Sequence, residues 1–290
     1  KHFHGKRCLY FQVWRALLQN MPTEALLRSL SRLSSVGLLN SDDEDSCVQL
    51  VVDRLQDSKL LQESRLHPMN ILLALDTYKK GSDEKARKLK WSPNDKVVQA
   101  LDKAFYAAFK NVEPTGKHHL LCVDVSKSMD IGGVHITSQL APAMAAISMA
   151  MVIAQTEPHH SMMAFSSSAM TPIDVTADLT IEEVCDMFSK VESGSKDCAV
   201  PMLWALEKKK EVDVFILYTN DKSWPMKIHP VTALRKYRTG MNKEHARLIV
   251  CSFSANKLTM ADPEDAGMLD IAGFDLAVPQ IIQNFVKGNL

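Results

Sequence analysis

The chain has 290 residues, 46% of them hydrophobic, and its 34 basic side chains balance 34 acidic ones. That length suits two domains, and the apolar content suffices for packed cores. No apolar run approaches the roughly eighteen residues of a membrane-spanning helix, no signal peptide is evident, and the six cysteines contain no C-x-x-C pair. The cysteine spacing argues against a disulfide framework or a zinc site and for a reducing compartment. Residues 1–117 hold 19 Lys and Arg against 14 Asp and Glu, so the first half is basic and the second acidic by the same margin. The asymmetry leans toward an anionic partner for the first half. The opening Lys1-His2-Phe3-His4 has no initiator Met and reads as the middle of a longer chain.

The first half reads as helices. Tyr10 to Gln19 carries apolar residues at helical spacing until Asn20-Met21-Pro22 interrupts it. A second helix is expected near Thr23, with Thr23 as cap and Ala25, Leu26, Leu30 and Leu33 as its stripe. A third covers Ser46 to Leu55. A fourth starts at His67-Pro68, buries Ile71, Leu72 and Leu75, and ends at Lys80-Gly81. The last runs from Ser92-Pro93 to Phe109, with Val97, Leu101, Ala104, Phe105 and Ala108 inward. Successive antiparallel helix pairs without intervening strands suggest an α-solenoid fragment over residues 1–112. Glu113-Pro114-Thr115-Gly116-Lys117 reads as a linker.

From residue 118 to 290 strands and helices alternate. Strands are predicted at His119–Val125, Ser161–Ser166, Val212–Thr219 and Leu248–Phe253. Helices are predicted at Thr137–Gln155, Ile181–Val191, Ala199–Lys209, Val231–Arg238 and Ala277–Val286. The alternation argues for a parallel sheet covered on both faces, joined by right-handed crossovers. The fold class is therefore α + α/β.

The first strand ends in Asp124-Val125-Ser126-Lys127-Ser128. One carboxylate and two hydroxyls at alternate positions give three hard oxygen donors at the carboxyl end of a strand, where open α/β sheets place ligands. With the strand before it and an Ala/Met-rich helix after it, the motif resembles the metal-ion-dependent adhesion site of von Willebrand factor A domains. The plain alternative is a βα turn whose Asp and Ser cap the next helix.

Further segments are His67-Pro68 with Ile71-Leu72-Leu73-Ala74-Leu75, Lys88-Leu89-Lys90-Trp91, Asp197-Cys198, Asp213-Val214-Phe215-Ile216, His229-Pro230, Ala261-Asp262-Pro263 and Gly273-Phe274-Asp275. Together they resemble one family, the Ro ribonucleoprotein autoantigens, which join a TROVE module to a von Willebrand A domain. The resemblance implies a HEAT-like helical-repeat ring, of which this chain holds the last helices, followed by a doubly wound A domain. It implies a non-catalytic ribonucleoprotein component of the cytoplasm, with the nucleus as a second location, expected to be monomeric. Its partners would be small non-coding RNAs, Y-type and misfolded, for stabilisation and quality control. It also implies Mg²⁺ held by Asp124, Ser126 and Ser128, completed by a Thr before the Asp-Cys pair and an Asp after a later Thr. Those two positions are Lys196 and Asn220 here, so the metal site is degenerate. If Lys196 points inward, its ammonium can take the cation position beside Asp124, with Asp197 or Asp221 as substitute ligands if the metal is kept. The alternative function is a protein-interaction module that captures a partner through a metal at this face.

Lys79, Lys80, Lys85, Arg87, Lys88 and Lys90 form the densest basic stretch of the helical half, with Trp91 beside it as a stacking surface. Phosphate contact is the sharper reading and a solvated loop the plainer one. His118-His119 and His159-His160 each abut a strand start, where adjacent side chains face opposite ways, and read as structural. Lys208-Lys209-Lys210 ends a helix, and the 15 methionines read as core gap-fillers. No nucleophile elbow, phosphate loop or glycine fingerprint appears, and Ser126 and Ser128 have no His placed as general base, so no catalysis is expected.

Overall fold

The computed structural model describes residues 12–40, 47–83, 89–130, 140–220, 228–253 and 260–290. The chain divides into two compact units, Lys1–Val112 and Glu113–Leu290.

In the first unit residues 12–20 form helix α1. It is followed by α2 (Thr23–Ser35), α3 (Val48–Gln56), α4 (Ser58–Ser64), α5 (Pro68–Lys79) and α6 (Asp95–Ala107). The predicted inward residues of α6 are all buried, as are Ile71, Leu72 and Leu75 of α5. α6 packs on α5 and α3, so those stripes meet one another. Two starts differ from expectation. Thr23 does not cap α2; it is buried inside the first turn, and Pro22 stands at the cap position without a side-chain bond. α6 begins after Ser92-Pro93, because the Asn94 side chain accepts from the Lys96 N–H at 3.0 Å and caps the helix there.

The strand-free expectation is corrected as well. A two-stranded antiparallel hairpin, β1 (Ser82–Asp83) with β2 (Leu89–Lys90), separates α5 from α6. Gly81 makes its base possible: its φ is +70°, a Cβ there would lie 2.9 Å from the Trp91 carbonyl, and its own carbonyl accepts the Trp91 N–H. Trp91 is not a surface platform. It is buried, and its indole N–H donates to the Tyr78 carbonyl at 2.9 Å. The Tyr78 hydroxyl in turn bonds Ser34 Oγ and the Asn94 N–H, while the Asn94 amide donates to the Leu39 carbonyl. One buried polar network therefore joins α2, α5 and the start of α6 with its groups satisfied.

The second unit is an α/β sandwich. Its elements are β3 (His119–Asp124), α7 (Pro142–Thr156), β4 (His160–Phe165), β5 (Met170–Ile173), α8 (Ile181–Ser189), α9 (Val200–Glu207), β6 (Val214–Thr219), α10 (Pro230–Met241), β7 (Arg247–Ser252), β8 (Met268–Ala272) and α11 (Val278–Lys287). The sheet order is β5-β4-β3-β6-β7-β8, parallel except for β5. β3 and β6 are buried along their whole length, as continuous apolar runs between two helical layers require. On one face Leu120, Cys122, Phe215, Leu217, Leu248 and Val250 pack with Met202 and Ala205 of α9 and Leu234 and Tyr237 of α10. α7, apolar on nearly every side, packs on β3, β4 and β6. It starts at Pro142, where Pro at N1 holds Ala141 extended at ψ 145°, and the expected start at Thr137 lies outside the described residues. β3 to β4 runs one way across the sheet and β6 to β8 the other. The carboxyl ends of β3 and β6 thus form the topological switch point where such sheets bind ligands.

Candidate functional site

At that switch point the end of β3 places Asp124, and the turn after it places Ser126 and Ser128. Asp124 is 1% exposed. Its Oδ1 accepts the Ser126 N–H at 2.7 Å, a local bond that folds the Asp-x-Ser-x-Ser loop back on its own carboxylate. The Ser126 and Ser128 hydroxyls lie 2.9 Å apart. The three residues singled out in the sequence are therefore together.

Lys196 completes the cluster. It arrives from the loop before α9, is 5% exposed, and its Nζ lies 3.8 Å from Asp124 Oδ2. The link is strengthened through Thr219 at the end of β6: the ammonium donates to Thr219 Oγ1 at 3.2 Å, and that hydroxyl donates to Asp124 Oδ2 at 2.8 Å. Thr219 is completely buried. A buried carboxylate, a buried ammonium and the hydroxyl between them thus satisfy one another, the condition under which a buried ion pair is tolerated. Thr219 was visible in the sequence only as the residue before Asn220; its relay role comes from the sheet register, which sets β6 beside β3.

The neighbouring loops hold Lys196 in place. Ser167 donates its N–H to the Ser195 carbonyl, and the two serine hydroxyls are 2.6 Å apart. Gly194 lets the loop approach, since a Cβ there would sit 3.1 Å from Ser166 Cβ. The Asn220 side-chain amide donates to the Ser128 carbonyl at 2.6 Å and ties the third loop to the first. Asp197 turns its Oδ1 to the Ala199 N–H at 2.9 Å, at the start of α9. Asp221 lies outside the described residues. Burial beside this cluster pushes the Cys198 thiol up to about 12, with the nearby Asp124 charge adding to the shift.

The remaining sites are scattered. Lys79, Lys80 and Lys90 are exposed in the first unit, with Lys80 4.0 Å from Asp76. Lys85, Arg87 and Lys88 lie outside the described residues. The rings of His118 and His159 lie 4.5 Å apart, tilted by 56°, at the amino ends of β3 and β4, at the opposite end of the strands from Asp124. Burial lowers the His119 pKa, and its Nδ1 lies 2.9 Å from the Lys117 carbonyl. Among the described residues no cluster of three or more His, Cys, Asp or Glu side chains could hold a metal.

Comparison with known proteins agrees with this architecture. The profile of the Ro60 vWA domain matches residues 118–286, and that of the TROVE domain matches residues 6–77. A Caenorhabditis elegans protein named RNA-binding protein RO60 is 39% identical over 96% of the chain, which covers 42% of that relative. The protein of the same name from Deinococcus radiodurans is 37% identical over 96% of the chain, which covers 52% of it. The crystal structure of the Deinococcus radiodurans RO (RSR) protein superposes with a TM-score of 0.88 at 36% identity, over 96% of this chain and 55% of that one. The chain therefore spans about half the length of the curated relatives it matches.

Proposed function

From the premise that this chain belongs to the Ro60 family, joining TROVE helices to a Ro60 vWA domain, we propose that it is an RNA-binding component of a ribonucleoprotein. The observation that carries this reading is the pairing of both profiles in one chain whose fold follows that of a solved Ro protein along nearly its whole length. The partners proposed are small structured non-coding RNAs, of the Y type or misfolded, held for stabilisation and quality control in the cytoplasm. Among the described residues the thiols of Cys122, Cys198 and Cys251 are buried, which supports a reducing setting. The chain acts as a monomer and without catalysis. No helix among the described residues is long and apolar enough to cross a membrane.

The exposed side chains of Lys79, Lys80 and Lys90 supply phosphate contacts, and Lys85, Arg87 and Lys88 of the same stretch are assigned with them. Such contacts give affinity that falls linearly with the logarithm of salt. Trp91 does not join them, because its ring is buried and its N–H is used. Capture of a protein ligand through a metal at the Asp124 loop is the weaker reading, since the buried Lys196 ammonium faces the carboxylate that would hold the metal. The test is binding of the chain to a labelled stem-loop RNA with a single-stranded tail. Submicromolar, salt-sensitive binding supports the proposal. Affinity no better than the roughly 10⁻⁴ to 10⁻⁶ M of non-specific association overturns it for this chain.

A further inference from the structure

We propose that Lys196 is the resident cation of the A-domain site: its ammonium replaces a divalent metal, so the loop is organised without one and stays closed to metal-borne ligands. The inference is independent of RNA binding, because it rests on the interior of one domain.

A divalent ion does not fit this donor set. Mg²⁺ needs oxygens at about 2.0–2.1 Å and Ca²⁺ at about 2.3–2.6 Å, in shells of six or more. The one described carboxylate at the centre, Asp124, already accepts the Ser126 N–H on Oδ1 and the Thr219 hydroxyl on Oδ2. The Thr219 oxygen faces the ammonium at 3.2 Å. Because Nζ is 3.8 Å from Oδ2, any ion bonded to that oxygen would lie within about 6 Å of a fixed positive charge inside a poorly solvated pocket. Among the described residues the candidate replacement ligands are also committed. Asp197 holds the start of α9, and the Asn220 amide presents a donor, not an acceptor, to the Ser128 carbonyl.

The arrangement is built, not incidental. The pair Asp124 and Lys196 has zero net charge, both side chains are buried, and a third buried side chain bridges them. The loop delivering Lys196 is clamped by the Ser167–Ser195 contacts and by the close approach at Gly194. An ammonium with three donors and a single charge suits a one-carboxylate site in the way a divalent ion suits a site with more anionic oxygen.

The experiment titrates Mn²⁺ alone, without RNA, into the 290-residue chain and reads bound metal by paramagnetic resonance and calorimetry. The parent is expected to show no stoichiometric binding up to about 5 mM, and its melting temperature should be the same in EDTA and in Mg²⁺. Lys196→Thr is expected to gain one Mn²⁺ site at least about a hundredfold tighter than the parent, and Asp124→Asn added to it should abolish that site. Lys196→Thr should also be less stable in EDTA and be raised by Mn²⁺. The neutral pair Lys196→Met with Asp124→Asn serves as the folding control. One-to-one Mn²⁺ binding by the parent that disappears in Asp124→Asn overturns the proposal. So does a Lys196→Thr protein that binds no Mn²⁺, or one that fails to fold with and without Mn²⁺ while the neutral pair folds.

Discussion

Lys79 and Lys80 at the end of α5 and Lys90 on β2 stand in solvent, whereas Lys196 in the α/β unit is 5% exposed and reaches a buried carboxylate. The first three keep their charge in water, where it attracts a polyanion and responds to salt. The fourth has left water, so its charge is compensated by Asp124 and Thr219, and salt reaches it weakly. The same residue type therefore serves recognition in one unit and internal architecture in the other. Burial and partners separate the two roles where charge counting does not.

Breaking the buried pair on one side is expected to have the largest effect. Asp124→Ala leaves an uncompensated ammonium and should lower stability by about 3–5 kcal/mol in denaturant unfolding. Combining Asp124→Asn with Lys196→Met should cost far less than the sum of the single changes, a non-additivity that a double-mutant cycle measures. A wholly additive cycle would mean the two charges do not sense each other.

A buried group without charge sharpens the contrast. Tyr237 is completely buried on α10, and its hydroxyl accepts the Val212 N–H and donates to the Lys210 carbonyl, each at 2.7 Å. Tyr237→Phe should cost about 1–3 kcal/mol, because it strands a buried donor and acceptor. Thermal unfolding reads this directly, and the cost should not vary with salt.

The His-Pro start of α5 offers a pH test, and α10 begins with the same cap. Nδ1 of His67 accepts the Met69 N–H at 3.2 Å, and Nδ1 of His229 accepts the Val231 N–H at 3.3 Å. His67 is partly buried, and desolvation lowers its pKa from 6.5 to about 4, so the folded helix start rejects the proton that the unfolded chain takes up. Its contribution is fully present above about pH 6.5 and is lost as pH falls toward 4, by about 1–3 kcal/mol. Hydrogen exchange of the α5 amides across that window should accelerate in the parent. It should change less in His67→Asn, which still caps but does not titrate.

Smallest in stability are the exposed lysines. Lys79→Gln should shift unfolding by no more than about 0.5 kcal/mol, since the side chain stands in water.

The parts of the molecule legible in its sequence are those where one residue type has one use. Continuous apolar runs located β3, β4, β6 and β7, because a strand buried on both faces admits little else. Asp124, Ser126 and Ser128 could be read as a loop because their spacing alone turns the carboxylate toward the following N–H. β5 escaped notice because Met170-Thr171-Pro172-Ile173 is short and carries a proline, which only an edge strand tolerates. β8 was missed because Asp270 interrupts its apolar run; that carboxylate accepts the Met260 and Ala261 N–H groups. α4 has a single buried residue, Leu61, and so no stripe to read. Trp91 misled because lysines precede it, while the Tyr78 carbonyl that claims its N–H is thirteen residues earlier and only tertiary packing brings it near. The inward turn of Lys196 could be posed as a question from the family resemblance. Its answer needed Thr219 from another strand.

The most direct test is the salt dependence of tailed stem-loop RNA binding, compared among the parent, a Lys79→Glu/Lys80→Glu/Lys90→Glu protein and Lys196→Thr. Tight binding is expected of the parent, with a slope of log affinity against log salt that falls by about 2–3 in the triple variant, for three phosphate contacts at roughly 0.7–0.9 each. Lys196→Thr should keep the parent slope. An unchanged slope in the triple variant, or a reduced one in a folded Lys196→Thr protein, would contradict the division between exposed recognition lysines and a buried architectural cation.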